Sequence, residues 1–378
     1  MINFNKPYLT GKETQYITEA VQSGKISGNG VFTQKCHGFF SSKYHFNRCL
    51  LASSCTDALE MSALLANITP GDEVIIPSFT FVSTALAFVR QGANIVFADS
   101  YSHHPNIDAN TIEALITPKT KAIVPVHYAG IACDLDLIKE LANKYNLLVI
   151  EDAAQAIDSF YKEKPLGGIG DLGCFSFHET KNIISGEGGM LTINNPIFEK
   201  RAEIIWEKGT NRSEFFRGEV NKYGWVDIGS SFLPSEITAA FLFAQLEHVD
   251  LIQQKRKEIW NLYNVNLSDL ALKEYLELPQ IPSYATNNAH MFYLVCRNAE
   301  ERSWLIRYLK DNGVMSVFHY QSLHKSPYYA QRHDGRSLPN SDRFTDCLLR
   351  LPIYFELSLD DVNLISTHIV NFYKKLHE

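Results

Sequence analysis

Two segments of the chain carry residue types that could do chemistry together. One is Glu151-Asp152-Ala153-Ala154-Gln155, which follows the apolar run Leu147-Leu148-Val149-Ile150; the other is Phe175-Ser176-Phe177-His178-Glu179-Thr180-Lys181-Asn182. If both runs are buried strands, a carboxylate ends one and a lysine stands just past the other, in one crevice. Burial disfavours the ammonium form, lowers the lysine pKa and makes Lys181 a competent nucleophile and base. A carboxylate beside a heterocyclic nitrogen keeps that ring protonated; at about 4 Å the attraction is worth roughly 4 kcal/mol at an effective dielectric of 20. An amine for an aldehyde, an acid for a ring nitrogen and a hydroxyl for a phosphate are the needs of pyridoxal 5'-phosphate, so Lys181, Asp152 and Ser176 form the expected set. The Gly-rich stretch Gly186-Glu187-Gly188-Gly189 begins five residues after Lys181.

Each assignment has a plainer rival. Most lysines are solvated surface charges, but Lys181 follows a buried strand. Asp152 could cap a helix starting at Ala153, a common task for aspartate. A phosphate needs donors at a helix N-terminus, and Ser53-Ser54-Cys55-Thr56-Asp57-Ala58-Leu59 reads as one. Backbone N–H groups of Cys55 and Thr56, the Thr56 hydroxyl and Ser176 are its expected contacts. Phe81, in Phe79-Thr80-Phe81-Val82-Ser83-Thr84, is either a ring that stacks on the cofactor or an ordinary core aromatic.

The elements that must position these groups alternate in type. Strands are expected at Val74-Ile76, Ile95-Ala98, Ala122-Val126, Leu147-Ile150, Gly173-Phe177 and Met190-Ile193, with helices at Thr56-Ala66, Ser83-Arg90, Ala109-Ile116 and Leu135-Tyr145. Apolar strands separated by amphipathic helices predict an α/β fold with a mostly parallel sheet covered on both faces. Ligands of such sheets bind beyond the carboxyl ends of the strands, where Asp152 stands. A long helical pattern begins near Pro234-Ser235 and runs past Trp260. Beyond it, Met291-Val295, Val314-His319 and the helical Glu301-Asn312 read as α+β. The expected organisation is an irregular lead-in over residues 1–30, a large cofactor-binding domain over 31–248 and a smaller C-terminal α+β domain over 249–378.

Composition narrows the function classes. The 378 residues are 45% hydrophobic and 20% charged, with a formal charge of −7 spread along the chain. No basic stripe exists for nucleic acid or an anionic membrane. The uncharged run Val74 to Val89 is too short to span a bilayer, and the first residues lack a signal core. Seven scattered cysteines without a C-x-x-C pair indicate reduced thiols and a cytoplasmic setting. His319 and His324 have no metal-ligand spacing, so no metal is expected.

The segments Ser54-Leu59, Pro77-Thr84, Glu151-Gln155 and Phe175-Asn182 together resemble the sugar-nucleotide aminotransferases of the DegT/DnrJ/EryC1/StrS family, in order along almost the whole chain. The resemblance implies the type I pyridoxal-phosphate transferase fold. It implies that Lys181 holds the cofactor covalently, Asp152 pairs with the ring nitrogen, Gln155 contacts the ring hydroxyl and Phe81 stacks, while Cys55, Thr56 and Ser176 hold the phosphate. Many members carry Gly-x-Asn-x-Arg where this chain has Gly229-Ser230-Ser231-Phe232-Leu233. There Ser231 would be a shorter substitute for an asparagine that reaches a neighbouring subunit's phosphate, within a homodimer. The segments Lys208-Ser213, Phe215-Gly218 and Asn288-Tyr293 are similar to members that aminate C4 of dTDP-4-dehydro-6-deoxyglucose. Those members use L-glutamate as donor and serve O-antigen or enterobacterial common antigen synthesis. Arg212 and Arg217 would then meet the diphosphate, with His319 and Tyr320 near the nucleotide sugar. Amination at C3, a UDP-sugar, or a catalytically silent binding subunit on the same fold are the rival expectations.

Overall fold

In the computed structural model, residues 1–377 are described. Seven strands form the main sheet: β1 (Arg48–Ala52), β2 (Glu73–Pro77), β3 (Asn94–Ala98), β4 (Thr120–Ile123), β5 (Leu148–Asp152), β8 (Leu172–Ser176) and β9 (Gly189–Ile193). Between β5 and β8 lies a two-stranded hairpin, β6 (Phe160–Tyr161) and β7 (Lys164–Pro165). The main sheet runs in the order β1-β9-β8-β5-β4-β2-β3. Six strands point one way; only β9 opposes them, pairing antiparallel with both β1 and β8. The mostly parallel α/β expectation therefore holds. The sheet strands are buried nearly throughout, which is why they read as unbroken apolar runs.

The carboxyl ends of β5 and β8, neighbours in the centre of the sheet, carry the two motifs. β5 extends two residues beyond its apolar run, so Asp152 lies in the strand itself. No helix begins at Ala153. Instead the backbone turns, and the Ala154 N–H donates to the Asp152 carboxylate at 3.1 Å, so Asp152 caps a turn. Lys181 stands five residues after β8 ends, in a bend where its N–H donates to the His178 carbonyl at 2.9 Å.

The lead-in is not irregular throughout. Residues Glu13–Gln22 form a helix whose Ala20 is buried beside the helix Glu236–Leu246. The glycines that signalled irregularity, Gly24, Gly28 and Gly30, come after it. Gly30 is needed for a close approach, since a Cβ there would collide with the Glu236 side chain. The Glu236 carboxylate accepts from the N–H groups of Gly30 at 2.8 Å and Phe32 at 2.7 Å, and from the Thr33 hydroxyl. It thereby satisfies the open N–H groups of the helix Val31–Tyr44 from another element.

The long helical pattern is two helices, Glu236–Leu246 and Val249–Leu272, broken at Glu247-His248. No proline or glycine marks that break, so the sequence could not show it. Val249 and Ile252 pack into the core under the main sheet, whereas Ile259, Trp260, Tyr263 and Leu267 pack into the C-terminal core. A small antiparallel sheet of β10 (Phe292–Val295), β11 (Val317–Phe318) and β12 (Leu348–Leu351) lies there, in the order β10-β12-β11. One further cluster joins Phe79 and Tyr128 to Met291, Tyr293 and Phe344, so the two regions meet over a shared core. Replacing Glu236 by Ala strands buried N–H groups and should cost about 3 kcal/mol, read as a lower urea midpoint at unchanged slope.

Candidate active site

Glu151 and Asp152 are adjacent and both buried, yet they serve opposite faces of the sheet. Glu151 meets His127 at 2.9 Å and accepts from the N–H groups of Gly167 at 2.8 Å, Ile169 at 2.7 Å and Gly170 at 2.6 Å. Burial alone would raise its pKa; the histidine and the backbone donors outweigh that and hold it lowered. Asp152 faces the crevice and accepts from the Thr84 hydroxyl at 2.7 Å, which is itself hydrogen-bonded to Thr80 at 2.9 Å. Burial raises the Asp152 pKa against the pull of Thr84, the Ala154 N–H and the Lys181 amine. A cationic ring nitrogen beside it would favour the ionised form further.

Lys181 is half-buried, and withdrawal of its amine from water lowers its pKa. The nearby Cys55 and Asp152 act against this shift, and the positive charge of Arg350 adds to it. Beneath it Asn182 donates to the side chain of Gln253 and the carbonyl of Asn288, both at 2.8 Å, and meets His290 Nδ1 at 2.8 Å. This buried network fixes the bend that carries the amine.

Across the crevice the helix Cys55–Leu65 starts from β1, a strand absent from the sequence-based expectations. Ser54 caps it, accepting from the Asp57 N–H at 3.0 Å. Thr56 donates to the Ser83 hydroxyl at 2.8 Å, which adds Ser83 to the polar groups at this helix start. Gly189 is what lets β9 pass beneath it, because a Cβ there would collide with the Ser54 carbonyl and the Cys55 nitrogen. Ser176 ends β8 and is buried.

Phe81 is 55% exposed. Its ring lies 6.0 Å from that of Tyr320. Gln155 accepts from the Ala129 N–H at 2.6 Å and donates to the Tyr320 hydroxyl at 2.9 Å. The His319 ring stacks on Tyr320 at 3.6 Å, and its Nδ1 meets the Tyr128 hydroxyl at 2.6 Å. Phe81, Gln155, His319 and Tyr320 are thus brought into one wall from distant parts of the chain.

The remaining expected residues lie elsewhere. Ser231 is exposed and bridges to Glu207. Arg217 is engaged by Glu203 at 2.8 Å and Glu219 at 2.6 Å. Arg212 sits over the Phe216 ring at 5.2 Å. Neither arginine hydrogen-bonds to a residue of the crevice among those described. Sequence reasoning missed Thr84, Tyr128, Asn182, His290 as a network member, and Arg350. Only Thr84 left a signal, as the residue four after Thr80 at the foot of a helix.

The donor set fits pyridoxal phosphate: a buried acid, a water-shielded amine, an exposed ring to stack on, and a helix start with hydroxyls and glycine-permitted close approach. The fold and this set define a pyridoxal-phosphate-dependent aminotransferase. The family model of the DegT/DnrJ/EryC1/StrS aminotransferase family matches residues 7–370, and the chain belongs to that family. It is 32% identical over 374 residues to the spore coat polysaccharide biosynthesis protein SpsC of Bacillus subtilis, covering 95% of this chain and 94% of that one. It is 33% identical over 372 residues to GDP-perosamine synthase of Escherichia coli O157:H7, covering 97% of each. Among solved structures, Spr1654 from Streptococcus pneumoniae in its PLP form superposes with a TM-score of 0.89 at 25% identity, covering 99% of both chains. No helix among the described residues is long and apolar enough to cross a membrane.

The folded-state pKa of Glu151 is depressed, so its stabilisation is fully present above the unfolded value near 4.5 and is lost as pH falls through the lower folded value. Replacing Glu151 by Ala should cost about 3–5 kcal/mol at pH 7, because His127 and three N–H groups lose their partner. The penalty should shrink in thermal melts run below pH 4.

Proposed function

We propose that the chain is a dTDP-4-amino-4,6-dideoxygalactose transaminase, moving an amino group from L-glutamate to C4 of dTDP-4-dehydro-6-deoxyglucose for surface polysaccharide synthesis. The observation that carries this reading is where Asn288-Tyr293 packs, since that segment is one of the three similar to enzymes of this specificity. Its Asn288 donates to the carbonyls of Gln155 and Ile157, both at 2.8 Å, and its His290 meets Asn182 next to Lys181. The segment lies directly behind the reacting amine.

Bound pyridoxal phosphate supplies the electron sink and carries nitrogen between donor and acceptor. Lys181 anchors it and, when free, takes the proton from the donor α-carbon and later delivers one to sugar C4. The lowered pKa leaves more of the amine neutral for both tasks. Asp152, held by Thr84, would pair with the ring nitrogen; Gln155, held by the Ala129 N–H, would meet the ring hydroxyl; Phe81 would cover the ring. Ser176, Cys55 and Thr56 would hold the phosphate. A large exposed apolar stretch, including Phe216 and Trp225, supports a homodimer, as does the outward-facing Ser231.

A second reading, a GDP-linked ketosugar as acceptor, is favoured by similarity to two GDP-perosamine synthases. Purified enzyme assayed with L-glutamate against dTDP-, GDP- and UDP-4-ketosugars should turn over the dTDP-sugar best, and NMR of the product should place the amine axial at C4. Preference for the GDP-sugar, or an amine at C3, sinks the first reading. Lys181→Ala should lose at least about 10²–10⁴ in kcat from proton transfer alone, and borohydride should no longer fix the cofactor to the chain.

A further inference from the structure

His290 is buried and held at three points. Its N–H donates to the Asn288 side chain at 3.0 Å, its carbonyl accepts from Arg256 at 2.7 Å, and its ring Nδ1 meets Asn182 Oδ1 at 2.8 Å. The Asn182 amide can take only one orientation. Its Nδ2 lies 2.8 Å from the Asn288 carbonyl, and a carbonyl only accepts. The same Nδ2 donates to Gln253 Oε1 at 2.8 Å. Gln253 is oriented in turn, because its Nε2 points to the Ile157 carbonyl at 3.5 Å and the Asp158 carboxylate at 3.4 Å, both acceptors.

This one-way chain leaves Asn182 Oδ1 as an acceptor, so the proton of the His290 ring sits on Nδ1. Nε2 is then a bare lone pair with no partner among the described residues. The ring stays neutral, since it is withdrawn from water and the charges acting on it are the cations Lys181, Arg256 and Arg350. The packing uses Nδ1 alone; Nε2 is left for a donor from outside the network. Lys181, the residue before Asn182, likewise has an amine with no hydrogen bond among the described residues.

We propose that His290 is a positioning residue for the Lys181 amine, its Nε2 accepting a hydrogen bond from Nζ whenever Lys181 is not joined to the cofactor. When Lys181 takes the proton from the donor α-carbon, it becomes an ammonium in a site shielded from water. The proton stays on Nζ and His290 gains none. The Nε2 lone pair steadies the new charge and fixes the direction of the amine until the proton is returned. An imidazolium could do neither, having no lone pair and a charge that repels. The role rests on the aminotransferase reading, in which Lys181 is the reacting amine.

In wild-type holoenzyme carrying 15N-labelled histidine, NMR should show the His290 ring, the signal that His290→Asn removes, protonated at Nδ1 alone. His290→Asn keeps a donor to Asn182 and deletes the outer acceptor. It should melt with wild type and bind L-glutamate equally, yet slow the half-turnover with L-glutamate about 10- to 100-fold, the worth of one hydrogen bond to a charged group. His290→Gln, whose amide oxygen reaches the Nε2 position, should recover part of that rate. A proton on Nε2 in the wild type overturns the role, whether or not any variant folds. So does a His290→Asn rate equal to wild type, or a loss that tracks the melting temperature and that Gln does not recover, which would leave His290 a packing residue. If borohydride fixes no cofactor to Lys181 in wild type, the aminotransferase reading itself falls and takes the role with it; every other outcome bears on His290 alone.

Discussion

Two adjacent carboxylates at the end of one central strand impose the constraint on which this molecule is built. Successive residues of a strand face opposite sides, so Glu151 and Asp152 cannot share a partner, and each must be satisfied in its own buried surroundings. Glu151 gathers the turn Gly167–Gly170 and His127. That contact fixes the stretch leading into β8, and so the position from which Ser176 and Lys181 emerge. Asp152 receives only Thr84 and the Ala154 N–H. It keeps capacity for a further cation, as the proposed cofactor-binding acid would require. One carboxylate completes the scaffold and its neighbour keeps free acceptor capacity on the crevice side.

This division explains why the chemical core was legible in the sequence. Strands buried on both faces must be apolar throughout, so polar residues at their ends stand out, as Asp152 and Ser176 do. Lys181 was visible because it follows such a strand and precedes glycines. β1 was not, since Arg48-Cys49-Leu50-Leu51-Ala52 has no β-branched residue and passes equally for part of a helix. The break at His248 was hidden for the same kind of reason: it arises from how two cores compete for one helix face, with no local breaker. The glycine signal of the lead-in was real but displaced, because Gly30 answers to Glu236, some two hundred residues away.

Polar networks assembled from distant segments were the least legible. Gln155, Tyr320, His319 and Tyr128 form a chain of contacts in which no two members are close in sequence except His319 and Tyr320. Their pairing depends on the small sheet docking over Phe79 and Met291, which no local pattern encodes. The arginines illustrate the converse. Arg212 and Arg217 drew attention by motif, yet Arg217 is occupied by two glutamates. Arg350, in an apolar strand, drew none, yet its Nε is buried without a partner.

The division of labour between the two sheets carries a consequence for how specificity can change in this fold. The amine and the acid belong to the main sheet, where neighbours are packed backbone to backbone and even a methyl group at Gly189 has no room. His319 and Tyr320 of the aromatic wall, and Arg350, belong to the small sheet and its loops, joined to the main sheet by side-chain contacts such as Gln155 to Tyr320. A substitution on the small-sheet side can therefore alter which sugar or acid is received without disturbing Asp152 or the bend of Lys181. Relatives that align over nearly the whole chain at about one-third identity are what such an arrangement allows. The cost of altering the catalytic side is set by buried carboxylates and close-packed backbone, the cost of altering the recognition side by a few hydrogen bonds of about 1 kcal/mol each.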